Sequence, residues 1–131
     1  MPLTFTVNHK PGYVLCRYSG KITDEEIFNS WKSFYESDNW IPGMNFLSDI
    51  SDVDGSAISS DGLRRLAQYS RTVHEKNNVS AVKVAIYASR PLPFGLARMY
   101  EGYSYRSPEM VRVFKSKVAA EAWLKGLINN E

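Results

Sequence analysis

Apolar and polar residues alternate from the start of the chain, with Leu3, Phe5 and Val7 set against Thr4, Thr6 and Asn8. A period of two is that of a half-buried strand. Lys10-Pro11-Gly12 supply turn residues. A second alternating run then puts Val14, Cys16 and Tyr18 on one face and Tyr13, Leu15 and Arg17 on the other, until Ser19-Gly20. The two runs predict a hairpin over 4–18. The period then changes. Within Ile22-Thr23-Asp24-Glu25-Glu26-Ile27, Thr23 and Glu26 have capping-box spacing and Ile22 with Ile27 matches a hydrophobic staple. These residues predict a helix whose inner stripe is Ile27, Phe28, Trp31, Phe34 and Tyr35, ending before Trp40-Ile41-Pro42-Gly43.

Met44-Asn45-Phe46-Leu47 reads as a short strand that feeds an acidic loop over 48–61 and a helix opened by Ser59 or Ser60. That helix carries Leu63, Leu66, Ala67, Ser70 and Val73 at helical spacing, with His74 on the inner edge of the stripe. The run 81–88 is apolar apart from Lys83 and Ser-free up to Ala88, which predicts a central, parallel strand covered on both faces. Arg90-Pro91-Leu92-Pro93 then breaks the chain, and a helix over 94–105 is weakened by Gly95 and Gly102. Met110 to Phe114 alternates as a last strand. Ser116 caps a final helix with the stripe Ala120, Trp123, Leu124 and Leu127. The order ββαβαβαβα predicts one α/β domain over 1–131, a mixed sheet with the N-terminal hairpin at its edge.

At 131 residues and 44% hydrophobic content the chain can bury a core without covalent staples. Its single cysteine, Cys16, lies in a strand-like run and reads as a buried, inert thiol. A lone cysteine and the lack of any membrane-length apolar run lead to the expectation of a cytoplasmic protein. The net charge of +2 is unevenly spread. Residues 1–61 hold four Lys/Arg and nine Asp/Glu, whereas 62–131 hold twelve and five. The basic half reads as helix outer faces, and nucleic acid binding is not inferred from it.

Candidate chemistry is sparse. His9 and His74 are the two histidines, and neither has a second histidine or cysteine at metal-binding spacing, so no transition-metal site is expected. Ser104 in Gly102-Tyr103-Ser104-Tyr105-Arg106 lacks the closing glycine of a nucleophile elbow. Asp52-Val53-Asp54-Gly55-Ser56 resembles the nucleophile loop of haloacid-dehalogenase-like phosphatases, but no downstream Asp-Asp pair follows. A small hydrolase or phosphatase using Asp52 and Asp54 is therefore the alternative to a binding role. The segment 90–106 interleaves Tyr100, Tyr103 and other apolar residues with Arg90, Arg98 and Arg106, as suits a binding surface, and 94–106 is expected to form a mobile wall of an anion- or lipid-accepting cleft.

Ile58-Ser59-Ser60-Asp61-Gly62-Leu63, placed between a strand and a helix, resembles the Asp-Ser-Ser-Gly-Leu turn of anti-sigma-factor-antagonist (STAS) domains. Gly20-Lys21-Ile22-Thr23 and the later Phe114, Ala120 and Trp123-Leu124 are similar to a branch of small bacterial STAS-like, SEC14-related proteins. The resemblance implies a mixed sheet with helices and no cofactor. It also implies a role in switching between protein partners or in binding small or lipidic ligands, and the expectation for this chain is a non-enzymatic module that binds a protein partner, a second copy of itself or a small anionic or lipidic ligand. It makes Ser60 the counterpart of the phosphorylated serine, with Ser59 and Asp61 replacing the family's leading Asp and second Ser. The expected binding residues are then Ser59, Ser60, Asp61, Arg90, Arg98, Tyr100, Tyr103 and Arg106.

Overall fold

The computed structural model describes residues 2–8 and 12–127. Five strands form one sheet: β1 (Leu3–Asn8), β2 (Tyr13–Gly20), β3 (Asn45–Val53), β4 (Val82–Tyr87) and β5 (Glu109–Phe114), side by side in chain order. β1 is antiparallel to β2, and every later pair is parallel. The hairpin therefore forms the edge, as expected. β4 is interior, and the middle position belongs to β3. His9, Lys10 and Pro11, invoked above for chemistry and for the turn, lie outside the described residues.

Four helices complete the chain: α1 (Asp24–Tyr35), α2 (Ser60–Lys76), α3 (Pro91–Tyr103) and α4 (Lys117–Leu124). Each parallel crossover steps in the same direction along the sheet, so crossovers of one hand place α1, α2 and α3 on one face. Their buried residues join Val14, Cys16, Tyr18, Phe46, Val84 and Val111 in the main core. α4 has no further strand to return to and folds onto the other face, where Ala120, Trp123 and Leu124 meet Tyr13, Leu47 and Ala85.

Local chemistry accounts for most boundaries. The capping box at Thr23 is fully made, with the Thr23 hydroxyl accepting from the Glu26 amide and the Glu26 carboxylate from the Thr23 amide. Ser59 caps α2 and Ser116 caps α4. Inside, Phe5 stacks on Phe34 with ring centroids 4.4 Å apart, and the Trp31 indole donates to the Tyr18 hydroxyl at 2.7 Å. Burying such side chains stabilises the domain by roughly 1.5–3 kcal/mol each.

Four expectations need correction. The acidic loop begins later than expected, because β3 continues to Val53. Its polar residues tolerate the strand: Asp49 accepts from the Ser51 amide and hydroxyl and faces Arg17 of β2 at 3.9 Å. The prolines do not break the chain before α3 but begin the helix, since the first turn needs no amide donors from them. His74 is wholly buried instead of lying at the core edge. Leu127 falls beyond α4 and is 73% exposed.

Candidate functional site

A cavity of about 70 Å³ lies between α1, α2 and α3 and the inner sheet face. Its walls include Trp31 of α1, Leu63 and Leu66 of α2, Leu96 and Ala97 of α3, and Ile86 of β4. A space that size exceeds the roughly 10–15 Å³ that one water requires, in an interior that is otherwise close-packed. Tyr18, Tyr35, Ser48, Ser70, Tyr100 and Glu109 supply the polar groups of its lining.

Glu109 anchors that polar lining. It opens β5 with the same inward parity as Val111 and Val113, and it is buried. The Tyr100 hydroxyl donates to Oε1 at 2.7 Å, and His74 Nε2 lies 3.1 Å from Oε2. A buried carboxyl group without such partners would be strongly destabilising. Among the described residues His74 Nδ1 has no hydrogen-bond partner, so the geometry assigns the ring proton to Nε2. The Tyr35 hydroxyl stands 3.4 Å from the same nitrogen.

Burial holds the neighbouring groups in their neutral forms. It is the largest cause raising the hydroxyls of Tyr35 and Tyr100 well above their usual range, and the nearby Glu109 charge adds to both. Burial likewise pushes up the Tyr18 hydroxyl and the Cys16 thiol. A neutral thiol and neutral phenols are poor nucleophiles and poor bases.

The residues expected from the sequence fall in several places. Ser59 is fully engaged: its hydroxyl accepts from the Gly62 amide at 3.0 Å and donates to Asp24 at 2.6 Å. Ser60 is exposed, its hydroxyl hydrogen-bonded to that of Tyr103. Asp61 pairs with Arg64. Arg90 donates to the backbone carbonyls of Ser51 and Val53, tying the start of α3 to the end of β3. Arg98 is exposed and sits 3.2 Å from Glu101, which also faces Arg112 at 3.7 Å. Glu101 therefore offsets part of this segment's charge. Arg106 lies past the helix, over the ring of Tyr105. The three arginines occupy the start, the outer face and the far side of the end of α3. Of the eight, Tyr100 lines the cavity.

Asp52 is exposed on β3, and Asp54 is occupied by its own turn, accepting from the Ser56 amide at 2.9 Å. Bonds from Ser56 hold the Asp54 carboxyl below its usual range. Neither lines the cavity. Glu109, Ser70, Ser48, Tyr35 and Tyr18 were missed as site residues. For Glu109 the available signal was its strand parity with Val111 and Val113.

No protein-family model matches the chain, and no curated protein matches it. The architecture, a mixed five-stranded sheet with four helices, is that of an α/β STAS-like domain. It is similar to the crystal structure of an uncharacterized DUF3478-family protein with a SpoIIAA-like fold from Shewanella loihica PV-4, at 20% identity and a TM-score of 0.56. The match covers 93% of this chain and 91% of that one. The chain thus has a SpoIIAA-like fold, and likeness at this identity speaks for the fold alone. No helix among the described residues is long and apolar enough to cross a membrane.

Proposed function

We propose that the chain works as one non-enzymatic STAS-like binding module that takes a small, largely apolar molecule into the cavity beneath α2 and α3. The cavity carries this reading: apolar walls with a few convergent polar groups are the usual form of a small-molecule site. Tyr100, rather than the arginines, is then the binding residue among those expected. Native mass spectrometry of the purified protein tests the reading through a retained small molecule. Filling the space with Ala97→Leu should abolish retention while the fold persists, and retention unchanged in that variant would place the ligand elsewhere.

Contact with a protein partner is a second reading, supported by the outer side of α3 and the turn after it. Leu92, Met99, Tyr103 and Tyr105 are 52%, 39%, 37% and 71% exposed there. Exposed aromatic and Met side chains beside arginines have the composition of contact surfaces. Self-association through this side would appear in light scattering as a concentration-dependent mass that Tyr105→Glu removes. A constant monomer mass would reject the homodimer.

A further inference from the structure

We infer that the cavity selects an apolar molecule whose polar end donates hydrogen bonds, an alcohol or an amine, and that Glu109 is the residue that discriminates. The inference rests on the cavity-binding reading above and names the ligand class of that site.

The polar lining is unequal in what it offers. Tyr100 spends its proton on Glu109 Oε1, which leaves its oxygen as an acceptor. Each carboxyl oxygen of Glu109 has one protein partner, Tyr100 or His74, and can accept a second bond. Tyr18 already accepts from Trp31 and keeps its own proton to give. Tyr35, Ser48 and Ser70 can serve in either sense. Acceptors therefore dominate around Glu109, with hydroxyls able to complete the bonding of an alcohol.

Charge points the same way. The lining contains one acidic residue and no Lys or Arg among the described residues. A carboxylate or phosphate end would bring a second negative charge beside Glu109 in a poorly solvated space, where like charges repel far more than in water. Arg90, Arg98 and Arg106 do not relieve this, since none lines the cavity. A hydroxyl or ammonium group instead meets free lone pairs, and an ammonium also meets opposite charge.

Nuclear magnetic resonance titration of the intact protein at neutral pH separates the outcomes, using toluene, hexan-1-ol, hexylamine and hexanoate as probes. Shifts at Leu66, Ile86 and Ala97 report the cavity. We expect hexan-1-ol and hexylamine to bind at least about tenfold more tightly than hexanoate, a ratio that their dissociation constants give directly. Hexylamine binding above hexan-1-ol marks the ammonium as the preferred end, and the reverse order marks the alcohol. If no probe moves those signals, the cavity-binding reading fails. If toluene or hexan-1-ol binds but hexanoate binds as tightly, the binding reading stands and the present inference is overturned. Glu109→Gln keeps the size but removes the charge and replaces one acceptor oxygen by a donor amide, so discrimination against hexanoate should fall to about twofold or less, well below that tenfold ratio. Unchanged discrimination in a folded Glu109→Gln protein would acquit Glu109. The wild-type ranking decides the ligand class even if that variant does not fold.

Discussion

The carboxylate of Asp24, the first residue of α1, accepts both the hydroxyl of Ser59 at 2.6 Å and its amide at 2.9 Å. One helix start thereby closes another. A Cβ added at Gly62 would fall 2.2 Å from Asp24 Cγ, so it is close approach and not backbone conformation that favours glycine there. Replacing a helical glycine by alanine ordinarily stabilises by roughly 1 kcal/mol. Here we expect the sign to reverse, with Gly62→Ala destabilising by about 1–2 kcal/mol as Asp24 is pushed from Ser59. In an Asp24→Ala background the same change should stabilise. Urea denaturation of the four proteins checks this, and additive effects would show that the two residues do not compete for the space.

The two serines at the start of α2 should behave differently. Ser59→Ala removes the cap and should cost about 1 kcal/mol. Ser60→Ala loses a single exposed contact with Tyr103 and should stay within about 0.5 kcal/mol. Both serines are exposed, but the Ser59 hydroxyl is committed to Asp24 and to the Gly62 amide, so Ser60 is the one we expect a kinase to reach. Phosphopeptide mapping of protein from its native host should place any phosphate on residue 60, and phosphate on Ser59 would contradict the capping geometry.

Features confined to a few neighbouring residues were legible in the sequence. Thr23 and Glu26 marked the start of α1, and strand alternation gave the hairpin and the inward positions of Val14, Cys16 and Tyr18. Features that depend on distant partners were not. Ser48 and Asp49 look like loop residues until Cys16 and Arg17 are known to lie opposite them in β2. Pro91 reads as a breaker unless it is recognised as the first residue of a helix. Glu109 draws its partners from α2 and α3, 35 and 9 residues away, and nothing local announces that pairing. The placement of Arg90, Arg98 and Arg106 away from the cavity was hidden for a related reason, because their side-chain directions depend on where α3 begins and what it lies against.

Helix α3 should exchange its amide hydrogens faster than β4. Its N-cap, Arg90, makes no side-chain capping bond, and it buries only Pro93, Ala97 and Tyr100. Few buried contacts and an uncapped end are the marks of a segment that opens locally. Space is open beside both Gly95 and Gly102. Gly95→Ala should therefore raise stability by up to about 1 kcal/mol and slow exchange over 96–103. Protection of that stretch equal to that of 82–86 in the unmodified protein would refute the mobility.

Alkaline pH should weaken the fold through its tyrosines. The Tyr13 hydroxyl donates to Glu121 Oε2 at 3.0 Å, joining β2 to α4. Burial first, then this bond and the Glu121 charge, push its pKa from 10.0 up to about 12. Burial also raises Tyr18, Tyr35 and Tyr100, so four phenols keep their protons in the folded protein after they would lose them in the unfolded chain. In that interval the unfolded state binds fewer protons than the native state, and stability falls as pH rises. The contribution of Tyr13 is thus fully present below pH 10 and is lost as pH passes through about 12. Denaturation midpoints measured across that window should decline, with phenolate absorbance rising as the protein unfolds. Tyr13→Phe removes one titrating group and its bond to Glu121, so it should lower stability at neutral pH and make the alkaline decline shallower. A midpoint that holds steady from pH 10 to 12 in the unmodified protein would mean that these phenols titrate as freely in the folded chain as in the unfolded one.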